Sequence, residues 1–111
     1  MAALTAVTPT NTGTVIAANP VAASDTINVN QMGPNGCYLE IINANASPDV
    51  MTISDAGTTQ AGNSPGTIPG TVANATSKVF KISRFQAAPS TGNVTITHTI
   101  TATVTYKLTK F

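Results

Sequence analysis

Charged, aromatic and chemically reactive side chains are all scarce in this chain of 111 residues. Only 8% of the residues are charged and 5% are aromatic, tryptophan is absent, and cysteine and histidine each occur once. With a formal net charge of +1, the chain lacks the basic excess that binds nucleic acid. One cysteine cannot close a disulfide within the chain, so a disulfide-stabilised scaffold is excluded.

Long apolar runs are also missing. No stretch of 18 or more apolar residues occurs, and residues 1–9 lack the positive charge that begins a signal peptide. We therefore expect neither a membrane span nor a signal peptide, and we expect synthesis in the cytoplasm. The chain instead contains 20 Thr, 16 Ala and 10 Asn, and its hydrophobic fraction of 41% is too high for a disordered protein.

No catalytic or metal-binding constellation can be assembled from the sequence. His98 lies in mid-strand on an apolar face, which favours a structural histidine near the rim of a sandwich over a ligand or base. Cys37 begins an apolar strand and has no activating neighbour, so we expect a buried, inert thiol. Asp49 and Asp55 are separated by hydrophobic residues, unlike the acids of a calcium loop. We predict no catalytic residue, no metal site and no cofactor, and a protein that is not an enzyme.

The strongest structural pattern is a strict alternation over residues 94–108. Apolar side chains and His98 occupy the even positions, and Thr or Lys occupies the odd ones, which is typical of a strand with one buried face. Fifteen residues of strand would extend on the order of 50 Å. That length overhangs a domain of this size, so either the strand bends between two sheets near Ala102 or the segment forms two strands.

Shorter strands are predicted upstream, separated by turns rich in Gly, Pro and Asn. Their ranges are 25–31, 37–43, 49–54 and 78–83, with weaker segments at 14–17 and 71–72. Short, regularly spaced strands with nothing helical between them predict an all-β fold, an antiparallel β-sandwich or jelly roll.

Two segments do not fit the sandwich pattern. Residues 1–12 are small and Thr-rich, and they predict an extended N-terminal arm. Residues 13–111 are then a single β-sandwich domain with a long Gly- and Pro-rich loop at 55–70. An arm of this kind can add main-chain hydrogen bonds to a partner's sheet edge. Deleting residues 2–12 is accordingly expected to weaken attachment of the chain to such a partner and to leave the sandwich folded.

Charge is distributed unevenly along the chain. The four acids, Asp25, Glu40, Asp49 and Asp55, precede the five bases, which all lie from residue 78 onward. Ordinary solvated charges are the favoured interpretation. Complementary contacts between subunits or with a partner are the alternative.

The order of segments resembles that of tailed-bacteriophage capsid decoration (cement) proteins and related minor head proteins. The resemblance extends over residues 33–108: a glycine, apolar strand and Asn-rich turn at 35–45, a hydrophobic and Thr-containing strand at 50–57, a hairpin at 71–82, and Phe85 before a strand at 92–97. It implies a β-sandwich or jelly roll that binds the outer surface of an assembled capsid and stabilises it, often as a trimer that ties major capsid subunits together.

From the residues and this resemblance we predict a structural virion protein on the capsid exterior. Its expected partners are the major capsid protein and further copies of the chain, with a homotrimer favoured and no nucleic acid or membrane involved. The strand at 94–108 is the first candidate for an edge shared between subunits. The predicted partner interface combines arm, basic and strand residues: Ala2, Leu4, Val7, Thr8, Lys78, Lys81, Arg84, Thr97, Thr99 and Thr101.

Alternative functions stay open at this stage. Another virion subunit, in the tail, the neck or the base of a head fibre, is the nearest one. A small non-catalytic binding module for carbohydrate or a host surface belongs to a different class, and it would need exposed aromatics or a metal site. A pilin-like strand-donating subunit would suit the long strand and the arm but normally carries a secretion signal.

Overall fold

The structure is a computed structural model that describes residues 2–56 and 66–110. These residues form nine β-strands and two 3-10 turns, with no α-helix among them. The strands are β1 (Ala2–Ala3), β2 (Asn19–Pro20), β3 (Ser24–Asn28), β4 (Cys37–Asn43), β5 (Asp49–Asp55), β6 (Gly66–Val72), β7 (Thr76–Ile82), β8 (Asn93–Thr97) and β9 (Val104–Lys110). The 3-10 turns are Val29–Gln31 and Arg84–Gln86.

Two sheets pack face to face. One has five strands in the order β1-β3-β8-β5-β6, and the other has four in the order β2-β9-β4-β7. Every pair of named strands is antiparallel except β1 with β3. The predicted all-β sandwich is therefore confirmed, whereas a jelly roll in particular stays a prediction.

The alternating segment 94–108 forms two strands in different sheets. β8 lies between β3 and β5, and β9 lies between β2 and β4. The chain crosses from one sheet to the other through residues 98–103 and turns at Thr103, whose φ is +57°. Side chains at 94, 96, 104, 106 and 108 are all buried, so the inward parity holds on both sides of the crossing, while Ala102 in the turn is exposed.

The core consists of the inward-facing side chains of both sheets. Ile27, Met51 and Ile96 from the five-stranded sheet and Leu39 and Ile41 from the four-stranded sheet are fully buried. Each comes from an alternating strand, so the period-2 pattern is what places them on one face. Their burial supplies the main driving force for folding.

The first part of the predicted arm is built into the sandwich. Ala2 and Ala3 pair with β3, and the backbone N–H of Leu4 donates to the carbonyl of Thr26 at 2.9 Å. The side chain of Leu4 is only 4% exposed and belongs to the core. Farther along, Val7 forms a parallel bridge with Thr109 of β9. Residues 8–15, in contrast, are exposed.

Two other sequence predictions need correction. The weak strand expected at 14–17 is absent, and the short strand β2 follows it instead. The loop expected at 55–70 ends early, because Gly66 to Gly70 belong to β6. Pro69 fits there because β6 is the last of the described strands in its sheet, and its outer edge pairs with no other described strand that would need the missing N–H. Residues 57–65 of that predicted loop lie outside the described part of the chain.

Leu4→Ala is expected to destabilise the sandwich by about 2–5 kcal/mol, because it removes a buried side chain that closes the core between the two sheets. Urea unfolding followed by circular dichroism measures the change. Thr8→Ala, at an exposed position four residues on, is the matched control and is expected to have little effect. Equal stability of the two variants would contradict the structural role of the N-terminal segment.

Candidate partner-binding surface

The only histidine is part of a buried cluster with two aspartates. The Nδ1 atom of His98 lies 2.6 Å from Oδ2 of Asp49, and its Nε2 atom lies 4.0 Å from Oδ2 of Asp25. All three side chains are almost completely buried. Burial at the corner of the sandwich is consistent with the structural histidine that the sequence favours, and the structure adds two acidic neighbours to it.

The two carboxylates of this cluster also bind backbone groups at chain corners. Oδ1 of Asp49 accepts hydrogen bonds from the backbone N–H groups of Thr99 at 3.0 Å and Ile100 at 3.4 Å. Oδ2 of Asp25 accepts from the N–H of Ala22 at 3.1 Å. These bonds satisfy backbone donors that have left the sheets, which gives the cluster a structural role.

Burial of these acids corrects the interpretation of all four as solvated surface charges. Asp25 and Asp49 are fully buried, so only Glu40 and Asp55 contribute negative side chains to the surface. The five basic side chains are all exposed or partly exposed. The surface is therefore more basic than the net charge of the sequence indicates.

Asp49→Asn is expected to destabilise the fold by about 1–3 kcal/mol, because the amide replaces one buried carboxylate oxygen with an NH2 group that cannot accept the hydrogen bonds made there. Glu40→Gln removes the same charge from a partly exposed strand position and is expected to cost well under about 1 kcal/mol. Thermal or urea unfolding of both variants checks this. If Asp49→Asn unfolded like Glu40→Gln, the cluster would have no stabilising role.

Cys37 has the properties expected of an inert thiol. It begins β4, its side chain is 3% exposed, and burial raises the pKa of the thiol to about 11 from its ordinary value of 9.0. The nucleophilic thiolate is therefore disfavoured near neutral pH.

The same pKa shift predicts a pH dependence of stability. The folded state keeps the thiol proton up to about pH 11, whereas the unfolded chain releases it near 9.0. The stabilisation is complete below the unfolded value and is lost as the pH rises through the folded one. We therefore expect the wild type to lose stability relative to Cys37→Ala between pH 9.0 and about 11. Urea unfolding of both proteins across that range tests it, and parallel curves would contradict it.

Strand β7 leaves one edge of the four-stranded sheet open. It is the last strand of that sheet, and β4 is its one partner among the described strands. The N–H of Ala44 donates to Thr103 on the β9 side, so the odd-numbered residues of β4 bond to β7. Their partners are the even-numbered residues of β7. By the same alternation, the backbone groups of Ser77, Val79 and Lys81 point away from β4.

Cations lie on both faces of this edge. Lys81 is opposite Tyr38 of β4 and shares the outer face of the sheet with it. Lys78 is opposite the buried Ile41, and its Nζ donates to the carbonyl of Thr71 at 3.1 Å. Between them, Val79 remains 59% exposed. We call the segment 77–81 the basic edge.

A pocket of about 560 Å³ adjoins the end of the basic edge. Its aromatic walls are Tyr38, which is 36% exposed, and Phe85, which is 88% exposed. Lys81 and Arg84 provide positive charge there. The remaining lining residues are Pro34, Asn35 and Ser83. We call this cavity the Tyr38–Phe85 pocket.

Local hydrogen bonds hold the pocket wall in place. Ser83 caps the 3-10 turn Arg84–Gln86, because its Oγ accepts a hydrogen bond from the backbone N–H of Phe85. In return, the Oε1 atom of Gln86 accepts a hydrogen bond from the backbone N–H of Ser83. The Nη1 atom of Arg84 donates to three backbone carbonyls at 3.2–3.3 Å, those of Val29, Met32 and Gly33. The turn that carries Phe85 is thus preorganised.

The predicted interface residues fall into three separate places. Lys78, Lys81 and Arg84 lie together at the basic edge and the pocket. Ala2 and Thr8 are exposed and Val7 is partly exposed, whereas Leu4 is buried in its own core and therefore corrects the prediction that it contacts a partner.

Thr97, Thr99 and Thr101 do not form an open edge. β8 is an interior strand, and the hydroxyl of Thr97 hydrogen bonds that of Thr52 on β5. Thr99 is exposed, and its Oγ1 accepts from the N–H of Val50 at 2.9 Å. Thr101 is exposed in the crossing between the sheets. The expectation that residues 94–108 present a shared subunit edge is corrected, because both strands have neighbours on each side.

The sequence alone does not predict this pocket, because its two aromatic residues are far apart along the chain. Tyr38 and Phe85 are brought together by the β4–β7 register and the turn after β7. An aromatic directly after a strand with two lysines was the one available signal.

Other site types find no support within the described residues. Over residues 2–56 and 66–110, no three His, Cys, Asp or Glu side chains are grouped so that they could hold a metal ion. No helix in the same ranges has the length and hydropathy needed to cross a membrane. Comparison with family models, curated proteins and solved structures finds no match to the chain.

Proposed function

We propose that the chain is a structural protein of a bacteriophage virion that binds the outer surface of the assembled capsid and stabilises it. Its partner in this role is the major capsid protein, and the working form is a homo-oligomer, with a trimer favoured. The chain contributes binding contacts to the assembly and no catalytic step.

One observation carries this proposal: the strand edges on one side of the sandwich are covered by the N-terminal segment, and the edge of β7 on the other side is not paired with a described strand. Residues 2–7 cover the edges of β3 and β9 on one side. On the other side none of the described strands pairs with the outer edge of β7, which carries Lys78, Lys81 and the adjoining pocket. An exposed strand edge invites association, so a fold that covers one side and leaves the other open has a directional binding face.

Repetition in the target explains how a small, weakly charged surface can suffice. An icosahedral shell offers many identical sites, and subunits linked into an oligomer bind them with a high effective concentration. Ligands that bind only the assembled state also stabilise it by mass action. The resemblance in segment order to capsid decoration proteins is consistent with this arrangement.

Co-sedimentation with shells of the corresponding phage that lack the chain tests the proposal. We expect the wild type to pellet at a fixed ratio to major capsid protein, and to raise the temperature at which the shells disassemble. Light scattering on the free protein then gives the oligomeric state. A chain that stays in the supernatant would overturn capsid attachment and favour a position in the tail or neck.

A matched pair of charge reversals places the binding face. The double variant Lys78→Glu/Lys81→Glu reverses two cations on β7, and Lys107→Glu/Lys110→Glu reverses two on β9 of the same sheet. We expect the β7 variant to bind shells about tenfold or more weakly, and the β9 variant to bind nearly as the wild type does. Equal losses would indicate nonspecific attraction rather than a defined face.

A further inference from the structure

We infer that the basic edge accepts an extended acidic segment of the partner protein as an additional β-strand, with an apolar side chain of that segment seated in the Tyr38–Phe85 pocket. This inference rests on the proposed function, because the segment would belong to the surface to which the chain attaches. It names the chemistry of the partner, which the proposed function leaves open.

The backbone of β7 is ready for such pairing. The N–H and C=O groups of Ser77, Val79 and Lys81 point away from β4, in the spacing that a new strand would match. The other edges offer less: residues 2–7 and β2 cover β3 and β9, and Pro69 removes an N–H from the middle of β6. β7 is therefore the acceptor strand that the fold presents.

Charge selects the type of strand. An added strand directs alternate side chains to the two faces of the sheet, so it meets Lys81 on one face and Lys78 on the other. Acidic residues opposite these lysines form favourable cross-strand pairs, and like charges are destabilising there. A second copy of β7 would add two more lysines to the same seam and no acid to pair with them, which disfavours pairing between two copies of the chain.

The pocket supplies an anchor at the end of the added strand. The side chain two positions beyond the one opposite Lys81 points to the same outer face, level with Ser83 of the pocket. Lys81 lines the pocket beside Tyr38 and Phe85, so an apolar side chain at this point can pack on the aromatic walls. Backbone pairing then supplies affinity, and the pocket fixes the register of the bound segment.

The test uses a synthetic peptide of about nine residues, long enough to pair with all of β7. Glutamate occupies the two positions that lie opposite Lys78 and Lys81, valine fills the others, one end carries leucine, and a counterpart has lysine in place of glutamate. Fluorescence anisotropy measures binding of each peptide to the full chain. We expect the acidic peptide to bind and the basic one to bind about tenfold or more weakly.

Two variants at one position separate strand addition from general attraction. Val79→Pro removes an N–H that points away from β4 and fills the edge with the proline ring, while the bonds to β4 remain. Val79→Thr keeps the N–H and a β-branched side chain. We expect Val79→Pro to weaken the acidic peptide about tenfold or more, the loss of one to two hydrogen bonds, and Val79→Thr to bind nearly as the wild type does.

A third variant examines the anchor. Phe85 is mostly exposed, so Phe85→Ala is expected to leave stability nearly unchanged but to weaken binding of the leucine-ended peptide. A peptide with glycine in place of leucine should no longer respond to Phe85→Ala. Circular dichroism confirms that each variant is folded before its binding is compared.

Several outcomes would overturn the inference: no binding of the acidic peptide, equal binding of both peptides, equal affinity of Val79→Pro and wild type, or self-association through β7 on light scattering. Binding to shells then separates the two proposals. If the wild type and Val79→Pro pellet equally with shells, capsid attachment stands and strand addition fails. If the acidic peptide binds but the wild type does not pellet, strand addition stands and capsid attachment fails.

Discussion

The contact between His98 and Asp49 is the constraint on which the rest of the sandwich depends. His98 directly follows β8, Asp49 begins β5, and the Asp49 carboxylate also takes the N–H groups of Thr99 and Ile100. These groups lie where the chain leaves one sheet for the other, and buried donors without partners are costly there. Because the carboxylate replaces a strand neighbour for these N–H groups, the chain can leave β8, cross to the other sheet and continue as β9 beside β4.

Much of this fold follows from the sequence because period-2 patterning survives the crossing. Residues 94–108 keep the same inward parity in both sheets, which the alternation alone predicts. The sequence predicts a loop at residues 66–70 because glycine and proline disfavour strands. Only an edge position makes Pro69 compatible with β6. Edge positions depend on which strands pair, and no local pattern contains that information.

The candidate site was harder to predict for a related reason. The lysines at 78 and 81 and Arg84 are visible as a basic group, but the pocket exists because Tyr38 pairs with Lys81 across β4 and β7. Charge counting also misleads when acids are buried. Asp25 and Asp49 are buried beside His98, where they serve the interior of the fold. The bases then outnumber the acids on the surface.

The same lysines have opposite consequences for two kinds of partner. On an uncovered edge, Lys78 and Lys81 oppose pairing with a second β7, which protects the chain from the aggregation that a bare edge invites. Toward an acidic strand they are attractive, and the backbone groups of Val79 between them are available for pairing. Specificity of this kind depends on the difference between the two interactions more than on the strength of either. A strand edge whose charged residues are all basic can therefore stay open without pairing with every exposed strand that it meets.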